Sequence, residues 1–179
     1  MVVKRKLTVT DFLRMGESGV FAPDERVELL DGEIYTVSPP SSKHAAWVDR
    51  VMKALERSVG DRTIIRVQSP VGLSEHDTPE PDVTVLAPSA DFYENELPGV
   101  RDVYLVVEIS LSSLGYDRST KLSLYARAGI PEVWIVNVDE GQLEVHREPQ
   151  NGLYRVRLLL RLGEPVTPAA VPDALQIVF

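Results

Sequence analysis

A chain of 179 residues with 44% hydrophobic and 26% charged side chains is long enough to bury one sizeable core and too apolar to stay disordered. Its net charge of −8 excludes a uniformly basic, non-specific nucleic-acid binder, and the lack of cysteine excludes disulfides and thiolate-held zinc. A local basic face stays open, because charges act mainly within a screening length of about 10 Å.

The start, MVVKRKLTVTDF, carries basic residues with no apolar run behind them, and no stretch approaches the roughly 18 apolar residues of a membrane span. The expectation is a cytoplasmic protein without signal peptide or membrane anchor. No internal repeat or low-complexity tract divides residues 1–179, which read as a single domain.

Thr10 followed by DFLRM predicts a short capped helix. RVELLDGEIYTVS gives two short strands about Asp31-Gly32, a strong hairpin signal. Ser41 is placed to cap a long helix, SSKHAAWVDRVMKALERSVG, that Gly60 ends; Val48, Val51, Met52, Leu55 and Val59 form its apolar stripe. TIIRVQS, DVTVLA and VYLVVEI read as strands, the last apolar on both faces and so central in a sheet. RSTKLSLYARAG reads as a helix with Asp117 as N-cap and Gly129 at its end. EVWIVNV, QLEVHRE and YRVRLLLRL complete the strands, with turns at Asp139–Gly141 and Asn151-Gly152. The proline-bearing tail, Pro165 to Pro172, is expected to lie over the surface. This order of elements predicts an α/β fold, a central mixed β-sheet flanked by helices.

Chemistry concentrates where strands end. Glu108 interrupts an apolar strand near its tip, and an ionised carboxylate there costs several kcal/mol unless something compensates it. Asp82 makes the same demand at the start of the strand after Pro81. If the two strands are neighbours, the carboxylates meet, and a divalent cation with a taste for oxygen, Mg2+ or Mn2+, relieves their repulsion. Lys121 lies at the edge of its helix's inward stripe, placed to reach back to the strand ends. Glu28, between Val27 and Leu29, is a fourth inward candidate, as second-metal ligand or as a partner that orients Lys121.

These residues read equally well as a structural ion pair, with Asp117 as a further partner for Lys121 at i−4. On the long helix, Lys43, Arg50, Lys53 and Arg57 gather on the side opposite the apolar stripe, as a DNA-binding row or as a solvated face flanked by Asp49 and Glu56. His44 points to the inward arc, toward a substrate phosphate or the site. Tyr125 and Trp134 read as core. No glycine-rich nucleotide loop, nucleophile elbow or zinc-spaced histidine pair is present.

The segments ELLDGEI, SPPSSKH, EPDV, VVEIS, the Asp117-x3-Lys121 step and LYARAGIPEVWIV occur in the order of the Uma-two family, which this chain resembles over about Thr8 to Val145. That family is assigned to the restriction-endonuclease-like, or PD-(D/E)XK, superfamily of phosphodiesterases. The resemblance implies a restriction-endonuclease-like core with Asp82 and Glu108 as metal ligands and Lys121 as catalytic lysine, assisted by Glu28. The Ile109 carbonyl is a further ligand candidate, DNA the implied substrate and a homodimer the implied assembly. One departure stands out: the superfamily places its lysine two residues after the glutamate, where this chain has Ser110, so the amine has to come from Lys121 on the next helix. Two other functions stay open, a catalytically silent nuclease-fold binding module and a structural or dimerisation protein.

Overall fold

The computed structural model describes residues 2–179. Its centre is a six-stranded sheet in the order β3-β4-β5-β6-β7-β8: Ile64–Val67, Val83–Leu86, Val103–Ser110, Glu132–Asn137, Gln142–Gln150 and Leu153–Arg161. All neighbours are antiparallel except β5 and β6, so the sheet is mixed, as the sequence predicts. The β5–β6 crossover carries a helix, which is what a parallel connection requires.

β5 is central and buried on both faces. Leu105, Val107 and Ile109 pack under the long helix α2 (Ser42–Val59), with Val48, Val51, Leu55 and Val59. Ser41 caps α2 by accepting the His44 amide, and Gly60 ends it. Val106 faces the opposite side, where Leu124 and Tyr125 of α4 (Leu122–Ala128) pack. Among the described residues, no helix is long and apolar enough to cross a membrane.

A separate two-stranded hairpin, β1 (Arg26–Leu30) and β2 (Glu33–Val37), turns at Asp31 and Gly32, both at positive φ. Gly32 is doubly constrained, because a Cβ there would stand 2.5 Å from the Lys6 side chain. The hairpin is pinned to the sheet through the Leu73–Glu80 segment. Thr78 donates to the Leu29 carbonyl at 2.8 Å, and the Glu80 amide donates to Glu28 Oε1 at 2.9 Å. That second bond aims Glu28 inward.

Three expectations need correction. Helix α1 (Val9–Glu17) is capped by Thr8 rather than Thr10, because Thr8 and Asp11 form a reciprocal capping box. Asp117 is no N-cap: helix begins at α3 (Leu114–Tyr116) and runs through a π-helical segment, Asp117–Lys121, into α4. The Asp117 carboxylate instead accepts hydroxyl bonds from Ser110 and Ser113. Third, the C-terminal tail does not merely cover the surface. Val166, Val171 and Ile177 join the core beneath α2, and Leu175 donates to the Ser58 carbonyl at 3.0 Å.

Candidate active site

β4 and β5 run antiparallel with Val83 opposite Val107, which brings Asp82, the residue before β4, alongside Glu108 near the end of β5. The contact is direct. Asp82 Oδ2 accepts the Ile109 amide at 2.8 Å, and the Asp82 amide lies 3.4 Å from Glu108 Oε2. The strand after Pro81 and the tip of β5 thus deliver two carboxylates to one point.

Lys121 reaches that point from the helical crossover. Its amine lies 2.9 Å from Glu28 Oε1 and 3.1 Å from Glu108 Oε1, with all three side chains buried. In the π-helical segment both Asp117 and Lys121 turn inward, and such insertions recur at functional sites. Lys121 does not pair with Asp117 at i−4; its partners come from β1 and β5. Tyr125, one turn further on, donates its hydroxyl to Glu108 Oε1 at 2.6 Å.

The electrostatics follow from burial and charge. Burial, reinforced by the carboxylates of Asp82, Asp117 and Glu28, pushes Glu108 up to about 8 although Lys121 opposes the shift. Burial works against the Lys121 ammonium, but Glu108 and Glu28 outweigh it and hold the amine protonated. Burial also raises Asp82; the hydrogen bond and charge of His44 and the Ile109 amide reverse that, leaving Asp82 below its usual range. His44 Nε2 lies 3.1 Å from Asp82 Oδ2, and this bond raises the imidazole.

Four carboxylates, Glu28, Asp82, Glu108 and Asp117, therefore surround Lys121, with His44 at the margin. Glu28 Oε2 is buried and has no partner. This surplus of buried negative charge, with a free carboxylate oxygen, suits a cation. Among the described residues no group of three or more His, Asp or Glu side chains is placed to hold a metal ion. One or two carboxylates that leave positions for water and phosphate are the donor set magnesium takes. The residues present fit a hydrated Mg2+ or Mn2+ at Asp82 and Glu108.

A cavity of about 370 Å3 opens over these groups. Glu28, His44, Asp82, Glu108 and Lys121, five of the candidate residues, line it together. Lys43, Arg50, Lys53 and Arg57 do not. Lys43 instead pairs with Asp139 at 2.7 Å, and Arg50 covers the Trp47 ring. Sequence reasoning missed Tyr125 as a contact of the site, and it missed the Arg26–Glu80 ion pair in the wall. For Tyr125 a signal existed: it lies at i+4 from Lys121 on the inward stripe.

Known proteins can be set beside this geometry. The family model Uma2 (Uma-two), described as "Putative restriction endonuclease", matches residues 9–178. The crystal structure of a putative nuclease belonging to DUF820, from Anabaena variabilis, superposes with a TM-score of 0.72. The two share 17% identity over 96% of this chain and 94% of that one, so the likeness is one of fold. No curated protein matches the chain.

Proposed function

This chain belongs to the Uma2 family, and from that membership and the site geometry we propose that it hydrolyses phosphodiester bonds in DNA as a magnesium- or manganese-dependent endonuclease. One observation carries the reading. Asp82 and Glu108 meet at adjoining strand ends with the Lys121 amine 3.1 Å from Glu108.

In this reading Asp82 and Glu108 hold the cation, with the Ile109 carbonyl beside them, and Glu28 orients Lys121. The bound cation supplies neutralisation of phosphate charge and a lowered pKa for water. Lys121, protonated between its two carboxylates, offers positive charge to the phosphate oxygens as negative charge builds on them. His44 steadies Asp82 through Nε2. The oxygen of water bonds to phosphorus while the bond from phosphorus to the leaving sugar oxygen breaks. That oxygen takes up a proton, so the new ends are a phosphate monoester and a hydroxyl. A cytoplasmic setting accords with the absence of cysteine. Pairing of two copies is needed only where both strands of a duplex are to be cut.

The test is cleavage of end-labelled DNA by wild type and by Asp82→Asn and Lys121→Met, with Mg2+, Mn2+ or chelator. Cation-dependent cleavage that each variant lowers by at least about 100-fold supports the reading. Cleavage unaffected by both variants overturns it. A second reading, a silent nuclease-fold module for binding or dimerisation, draws on the full engagement of the Lys121 amine by Glu28 and Glu108. It predicts no cleavage with either cation and a loss of stability on Lys121→Met.

A further inference from the structure

The charged groups of the site stand on the floor of a cavity, not on an open face. Glu28 is 2% exposed, Glu108 3%, Lys121 6% and Asp82 9%. The volume, about 370 Å3, falls in the range of roughly 300–1,000 Å3 that encloses one small ligand. The hairpin β1–β2 supplies one wall, the link through Pro39 and Pro40 the rim, and the run from Leu111 to Tyr116 the opposite wall. A phosphate of an intact duplex is carried on the outside of a stiff rod, and a rod cannot follow it into a recess of this size.

The walls point the same way. Tyr35 and Tyr116 line the cavity with ring centroids 6.1 Å apart, and Pro39 and Pro40 add flat apolar faces near them. Aromatic faces receive unpaired bases by stacking, whatever the sequence. Duplex binders neutralise a run of phosphates with free cations. This cavity offers no such run: its basic side chains are Arg26, beside Glu80, and Lys121, between Glu28 and Glu108, enough to meet one phosphate.

Building on the nuclease reading, we propose that the site takes unpaired DNA: a single strand, or a strand splayed at an end, flap or mismatch. One nucleotide enters the cavity, its base lies against the tyrosine wall and its phosphate reaches Lys121 and the cation that Asp82 and Glu108 would hold. Intact duplex is not a substrate.

The test presents one labelled strand in three forms: alone, in a blunt duplex, and in a fork with one unpaired arm. Binding is read by fluorescence anisotropy with calcium, cleavage on gels with manganese. The single strand and the fork bind at least about tenfold more tightly than the duplex, and cuts in the fork fall on its unpaired arm. Ser38→Trp, which fills the rim from an exposed position, lowers single-strand binding by about tenfold and leaves the melting temperature unchanged. Equal binding of duplex and single strand, binding of neither, or indifference to Ser38→Trp overturns the inference. Strand-selective binding without cleavage sinks the nuclease reading alone; cleavage that ignores strandedness sinks this inference alone.

Discussion

The Lys121 amine lies 3.1 Å from Glu108 Oε1, although one residue belongs to a helical crossover and the other to the central strand. Ser110, two residues after Glu108 on the same strand, donates its hydroxyl to Asp117 at 2.5 Å. The cation reaches the strand tip from outside the sheet, and the π-helical segment turns it inward. Helix and strand thus meet at one carboxylate.

Glu108→Gln is the most informative substitution at this contact. Burial pushes Glu108 up to about 8 in spite of Lys121, so ionising it in the metal-free fold brings little net stability, and glutamine keeps its shape and an acceptor for the Tyr125 hydroxyl. The variant is expected within about 1 kcal/mol of wild type without metal. Millimolar Mn2+ raises the wild-type melting temperature and leaves the variant's unmoved. A variant that still responds to Mn2+ places the cation elsewhere.

Tyr125→Phe isolates one hydrogen bond in the same cluster. The phenol donates to Glu108 Oε1 at 2.6 Å inside the core, and phenylalanine keeps the packing. Urea unfolding is expected to show a loss of about 1–2 kcal/mol, since Lys121 still serves the orphaned oxygen. A loss above about 3 kcal/mol contradicts this division of labour.

A second buried network sets the acid limit of the fold. Glu144 on β7 is fully buried and meets His146 at 3.2 Å, Arg157 at 3.0 Å and Arg118 of the π-helical segment. Burial alone would raise Glu144; bonds from His146 and Arg118 and the charges of both arginines overcome it and hold the carboxyl at about 2. A depressed folded value means that the unfolded chain binds the proton more readily. The stabilisation is therefore complete above the ordinary glutamate value of 4.5 and is lost as pH falls from there through about 2. Denaturation midpoints of wild type and Glu144→Gln should differ by a constant gap above about pH 5, draw together from about pH 4.5 and converge only near pH 2. A gap that persists at the lowest pH refutes the assignment.

How far the sequence carried the site depends on the kind of signal. Glu108 and Asp82 were legible because a carboxylate inside an apolar strand demands a reason, and strand pairing then brought them together. The reach of Lys121 was legible from its place beside the inward stripe. The misplaced N-cap at Asp117 has a plain cause: a local pattern cannot see the hydroxyls of Ser110 and Ser113, which hold that carboxylate from neighbouring segments. The cavity was equally invisible, because the hairpin, the proline link and the crossover that enclose it are far apart in the chain and meet only in the fold.

The tail offers the last prediction, and it arises from a correction. Prolines suggested a surface strap, yet Ile177 is 6% exposed and packs under α2 with Val166 and Val171. Val166 and Ile177 exchange backbone bonds at 2.9 and 2.8 Å, so the tail closes on itself before it docks. Removing a buried isoleucine side chain in such a setting costs about 2–5 kcal/mol. Ile177→Ala is expected to lower unfolding stability by about 2–3 kcal/mol. The carboxylate cluster lies beyond the sheet from the tail's packing and should keep its Mn2+-induced thermal shift. A stability change below about 0.5 kcal/mol would return the tail to the role its prolines suggested.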